Sequence, residues 1–213
     1  MKTIIDINTW NRNEHFRFFS SFKEPYWGLT ENVDCKNLQK LVKQEKLHFY
    51  SAYLFLILKA VNDVKEFRMR YSDTEVYVYD QISVSPTVLR RDKTFAFSYI
   101  DYQKSYDLFY QNMMQEIEKV NGISGLNLGE YRDDVIHFSA LPWFSFSSLS
   151  HARSLEFPDS CPKISVGKVT NNGNECLMPV SVHVNHALVD GYHMNLFFTS
   201  LKEYMQSPVK QLL

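Results

Sequence analysis

The stretch Val180-Ser181-Val182-His183-Val184-Asn185-His186-Ala187-Leu188-Val189-Asp190-Gly191 decides the reading of this chain. Val180, Val182 and Val184 alternate with Ser181, His183 and Asn185, the period-two pattern of a strand with one apolar and one polar face. Asp190-Gly191 ends the run, and Asp190 is a suitable N-cap for a helix. Beyond it Met194, Phe197, Phe198, Leu201 and Met205 recur at helical spacing. His186 is thus held between a strand end and a helix start, where a rigid frame can aim an imidazole at a ligand. With an unperturbed pKa of about 6.5, an imidazole accepts a proton readily at neutral pH.

Other readings of the same histidines fail. His183 and His186 are an odd number of positions apart, so a strand turns them to opposite faces, which argues against a zinc site shared with His193. No Gly-x-Ser-x-Gly elbow supplies a nucleophile for Ser/His/Asp hydrolysis. The seven glycines form neither Gly-x-Gly-x-x-Gly nor a phosphate loop. A lone histidine base suits a reaction whose substrate brings its own nucleophile.

Composition narrows the field further. A chain of 213 residues with 45% hydrophobic and 22% charged residues fits one globular domain spanning 1–213. A formal net charge of −1 offers no electrostatic footprint for nucleic acid or an anionic membrane. Cys35, Cys161 and Cys176 are odd in number and lack Cys-x-x-Cys spacing, so neither a disulfide framework nor a zinc site is expected. The first residues contain no apolar signal region, and the run Tyr53 to Leu58, cut by Lys59, is too short to span a bilayer. A cytoplasmic location is the corresponding expectation.

Helical periodicity is read over Glu14–Phe22, Asn37–Lys46, Ser51–Val64 and Tyr106–Val120, the third apolar nearly all round and therefore buried. Strands are read over Trp27–Val33, Ser83–Leu89, Thr94–Ile100, Val135–Leu141, Lys163–Val169 and Leu177–Asn185. Arg68–Tyr71 and Glu75–Tyr79 flank Ser72-Asp73-Thr74 as a hairpin, and Asn121–Glu130 is irregular. Helices and strands mix without a βαβ rhythm, which points to α+β with a large mixed sheet.

Three motifs in order carry a family resemblance. They are Trp10-Asn11-Arg12-Asn13-Glu14-His15-Phe16, then Ser139-Ala140-Leu141-Pro142-Trp143 with Phe146-Ser147-Ser148, then His186-x-x-x-Asp190-Gly191 with Tyr192-His193. Together they resemble chloramphenicol acetyltransferases, within the CoA-dependent acyltransferase superfamily that includes dihydrolipoyl acyltransferases. The resemblance implies a large mixed β-sheet covered by helices. It implies direct transfer of the acetyl group of acetyl-CoA to a hydroxyl of chloramphenicol, conferring antibiotic resistance, without a metal. It further implies a homotrimer with sites at subunit interfaces.

The family's roles carry over by motif position. His186 is the general base, and Asp190 pairs with Arg12 to hold the histidine loop. Ser148 is read as the oxyanion donor, also on the CoA side, and Ser165 stands where the family has a threonine that holds an ordered water. Lys168 and His48 fall at CoA-contacting positions. Trp27, Phe19 and Phe95 fall in the acceptor pocket. The chain departs from the pattern at Asn185, for the first of a His-His pair, at Val169, for a tyrosine against the adenine, and at Phe19, for a tyrosine. Two other readings stay open: the same transfer to a different small hydroxyl-bearing acceptor, and a non-catalytic binding homologue.

Overall fold

The computed structural model describes residues 1–73, 75–129, 131–155 and 159–213. In chain order the elements are β1 (Lys2–Ile5), α1 (Asn13–Ser20), β2 (Tyr26–Asp34), α2 (Lys36–Glu45), α3 (Phe49–Asp63), a 3-10 turn (Lys65–Arg68), β3 (Met69–Tyr71), β4 (Val76–Tyr79), β5 (Ser83–Leu89) and β6 (Phe95–Phe97). They continue with α4 (Tyr106–Asn121), β7 (Val135–Leu141), β8 (Lys163–Gly167), β9 (Thr170–Asn172), β10 (Glu175–Asn185), α5 (Gly191–Gln206) and α6 (Val209–Leu212). A large sheet runs β2-β10-β8-β7-β5-β6 with β9 paired to β10, and a smaller one runs β1-β4-β3. β8, β7 and β5 are parallel neighbours while β2, β10 and β8 alternate, so the large sheet is mixed, as the sequence implies.

One face of this sheet makes the core. Val180, Val182 and Val184 of β10 and Ile164 and Val166 of β8 are buried against the helical layer. α3 sits at its centre, buried from Ser51 to Leu58 as its all-round apolar sequence requires. Period-two alternation puts the polar residues of the same strands on the opposite face. Register joins them into rows: Gly28, His183, Lys163, His137 and Ser85 form one, and Thr30, Ser181, Ser165 and Ser139 the next. Gly28 is required in its row, because a Cβ there would lie 2.5 Å from His183 Cδ2.

Three differences from the sequence-based expectation have local causes. Thr94–Ile100 forms a strand only over Phe95–Phe97 and then meets β5 again at a single bridge, Ile100 with Val84; between them Ser98 turns both its N–H and its hydroxyl onto Pro86 O at 3.0 and 2.9 Å. Strand Lys163–Val169 stops at Gly167, where Lys168 N–H donates to Phe144 O instead, at 2.7 Å. β1 has no sequence signal: its residues are mostly exposed and it forms by pairing with β4. The expected hairpin residue Thr74, and Glu130 at the end of the irregular stretch, lie outside the described residues.

Candidate active site

His186 stands just past β10 in a turn that Asn185 builds. The buried Asn185 accepts Ala187 N–H at its Oδ1, at 3.0 Å, and its Nδ2 donates to Tyr71 OH and Asp159 O at 3.1 and 3.2 Å. An amide can accept and donate at once, so the asparagine secures the turn that carries His186. His186 N–H donates to Pro25 O at 2.8 Å, and its ring lies flat on Phe19, with Trp27 at 5.3 Å. Trp27 Nε1 in turn donates to Val189 O at 3.0 Å. Phe19 and Trp27 therefore both wall the imidazole.

Asp190 and Arg12 form the expected pair, Arg12 Nη1 donating to Asp190 Oδ2. Asp190 also caps α5: its Oδ1 accepts Tyr192 N–H at 3.0 Å, and its own N–H donates to His193 Nδ1 at 3.1 Å. Burial works to raise the Asp190 pKa, but the Arg12 hydrogen bond, His193 and the Arg12 charge outweigh it and hold the carboxyl below its ordinary range. His193, which the third motif contains without a role assigned to it, is the capping partner, and burial makes it less basic despite Glu66 and Asp190.

A second cluster occupies the polar face of the sheet. A cavity of about 380 Å3 is lined by Ser85, Thr87, Phe95, Phe97, His137, Ser139, His151 and Lys163 among others. Phe95 is therefore in company with Ser139, on the row of Ser165. Ser148 is not: it is exposed, in the irregular segment after Trp143 that rests on Gly167, where a Cβ would come within 2.7 Å of Phe144 O. The expectation from motif position does not name Ser139, although the sequence carries a signal for its place on the cavity face. Ser139 opens the Ser-x-x-Pro-Trp motif on a strand whose alternation turns it to the polar face.

The cavity floor is polar without net charge. Lys163 Nζ donates to Asp159 Oδ2 at 2.5 Å. Burial, followed by the Lys163 charge, pushes His137 down to about 4, and burial with His183 and Lys163 does the same to His151. His151 Nε2 lies 2.9 Å from Ser165 Oγ, and its ring meets His183 edge-on at 4.9 Å. No sequence pattern points to His151 or His137. His183 and His186 do not converge, as their odd spacing requires. His137, Asp159 and Cys161 bring metal-ligand atoms within 4.8 Å of one another, a cluster that the sequence spacing does not foretell. There the Lys163 ammonium already holds the carboxylate and would repel a second cation. The three cysteines are free thiols.

Lys168 and His48, the two residues expected on the CoA side from motif position, are exposed and lie on separate elements. Lys168 follows β8 and His48 precedes α3, its ring 6.4 Å from those of Tyr50 and Tyr110. Among the described residues no helix is long and apolar enough to cross a membrane.

Comparison with known proteins agrees with this architecture. The sequence model of the chloramphenicol acetyltransferase family matches residues 1–202. Chloramphenicol acetyltransferase 3 of Escherichia coli is 31% identical over 211 residues, covering 98% of this chain and 99% of its own. A solved chloramphenicol acetyltransferase superposes with a TM-score of 0.89 at 27% identity, over 96% of this chain and 100% of its own. The dihydrolipoamide acetyltransferase of Azotobacter vinelandii shares the fold, with a TM-score of 0.67 at 16% identity over 94% of this chain and 88% of its own. With the family match running through the Trp10, Ser139 and His186 motifs, the chain belongs to the chloramphenicol acetyltransferase family.

Proposed function

We propose that the protein transfers the acetyl group of acetyl-CoA to a hydroxyl of chloramphenicol. The observation that carries this reading is the cavity that Ser139 lines together with an aromatic wall, Phe95 and Phe97, and a polar floor without net charge. A neutral aromatic alcohol suits such a site, because apolar walls bury its ring while a few polar groups orient it. The family match and the names of the relatives support the same substrates.

In this mechanism His186 takes the proton of the acceptor hydroxyl as its oxygen attacks the thioester carbonyl carbon. Ser139 donates to the oxyanion of the tetrahedral intermediate. We assign that role to Ser139 rather than Ser148, because only Ser139 lines the cavity. The carbon–sulfur bond then breaks, the imidazolium returns its proton to the thiolate, and CoA leaves as a free thiol. Arg12 and Asp190 hold the turn that aims His186. Lys168 and His48 are assigned to the phosphates of CoA.

Within one chain the base and the cavity lie apart. The end of β10 is four residues beyond the Ser181 row, about 14 Å along the strand, and Ser139 is two strands across, about 10 Å. The reading therefore includes a homotrimer in which His186 of one copy faces the cavity of the next. Trp143 and Phe144, each 61% exposed in the single chain, support a subunit interface. A cytoplasmic location and a role in antibiotic resistance belong to the same proposal.

The test is release of free CoA thiol from acetyl-CoA in the presence of chloramphenicol. Thiol release with another alcohol but none with chloramphenicol would reassign the acceptor. Co-refolding His186→Ala with Ser139→Ala, each strongly impaired alone, should restore activity well above either variant if copies share sites. A fully active protein with the light-scattering mass of one chain would refute the shared site.

A further inference from the structure

Ser165 sits in the middle of β8 on the polar face, paired with Ser139 on one side and Ser181 on the other. A serine hydroxyl has three staggered positions and a freely rotating proton, so an unrestrained one orients nothing. Here His151 restrains it. The imidazole comes from the irregular segment between β7 and β8, lines the same cavity as Ser139, and brings Nε2 to 2.9 Å from Ser165 Oγ. Its ring is braced edge-on by His183, the planes 83° apart.

The proton on this imidazole can be assigned. Burial, with the neighbouring His183, Lys163 and His137, pushes the pKa down to about 4, so the ring is neutral at pH 7 and carries one N–H. Nδ1 is buried and has no hydrogen-bond partner among the described residues. A buried N–H without a partner is rarer than a buried acceptor without one, so the proton belongs on Nε2. Nε2–H then donates to Ser165 Oγ, and the Ser165 proton is turned away from His151 toward its own row.

We propose that His151 is a positioning residue for the transfer: from the cavity wall it fixes the hydroxyl of the buried Ser165, the cross-strand neighbour of Ser139, as a hydrogen-bond donor directed away from itself, toward the Ser139 row. The kinetic consequence rests on the proposed transferase activity, whereas the bond is a property of the resting protein.

The test is a double-mutant cycle on kcat, read with thiol release. Ser165→Ala and His151→Phe should each lower kcat roughly three- to tenfold, with KM for acetyl-CoA little changed. His151→Phe should add no further loss in the Ser165→Ala background, and His151→Gln, which keeps an N–H donor, should recover part of the rate. Additive losses, or a His151→Phe variant with unchanged kcat, would overturn the proposal. A second readout needs no turnover: the ¹⁵N resonances of His151 should report an Nε2–H tautomer whose Nε2 shift moves in Ser165→Ala. An Nδ1–H tautomer, or a shift indifferent to Ser165→Ala, overturns it equally. If no acceptor is acetylated, the transferase reading fails, and the resonance result alone decides whether His151 fixes Ser165.

Discussion

The imidazole of His186 lies flat against the ring of Phe19, with centroids 3.9 Å apart and planes inclined by 9°. A face-to-face contact at this distance fixes the tilt of the imidazole, and Phe19 is itself anchored in the last turn of α1, the helix that Arg12 opens. Phe19→Ala should therefore lower kcat as well as raise the KM for chloramphenicol, while Phe19→Tyr, which keeps the stack and adds a hydroxyl, should lower that KM by about two- to tenfold. Replacing the base itself, His186→Ala, should cost ~10²–10⁴-fold in turnover with the fold intact. Steady-state kinetics on the three variants check the assignment. Most of the wild-type rate surviving in His186→Ala would dismiss the base.

The two candidate oxyanion serines give opposite expectations. Ser139→Ala should lower kcat on the order of 10²-fold, with both KM values little changed, because the bond strengthens in the transition state. Ser148→Ala, at an exposed position outside the cavity, should stay within about twofold of wild type. The reverse ranking would return the role to Ser148.

Asp190 joins two structural tasks, so its substitutions should separate them. Asp190→Ala removes the cap of α5, worth ~1 kcal/mol, and also strands the partly buried Arg12, whose Nε already lacks a partner among the described residues. A fall in Tm on the order of 10 °C is expected, with loss of activity. Asp190→Asn keeps a capping side chain and loses only the charge, so it should fall less. Equal losses in the two variants would mean that the cap contributes nothing.

Stability should decline in mild acid. His137 and His151 stay neutral in the fold down to about 4, whereas an unfolded histidine protonates near 6.5. Between those values the unfolded chain binds more protons, so folding free energy falls as pH drops from about 6.5 to about 4. Asp190, with its lowered pKa, contributes stability above the ordinary aspartate value and loses it only as pH falls through its folded value. Tm measured at pH 7.5 and pH 5 should show the loss, and His151→Phe should shrink it. A flat Tm over that range would contradict neutral burial of these imidazoles.

What the chain wrote locally was legible without coordinates. The valine alternation of β10, the Asp190 cap, the wholly apolar α3 and the three motifs are short-range patterns, and each reflects what its own residues do with water and backbone. They led to the mixed sheet, the family, the His186 turn and the Arg12–Asp190 pair. The proposal of Ser139 in place of Ser148 rests on tertiary structure, because it depends on which residues of β7 face the cavity once β7 and β8 pair in parallel. The same holds for His151, which meets Ser165 from an irregular segment with no periodicity to read, and for β6, which Ser98 cuts short by bonding Pro86. Register and crossover bring these groups together across long stretches of chain, and no pattern within a single element encodes that meeting.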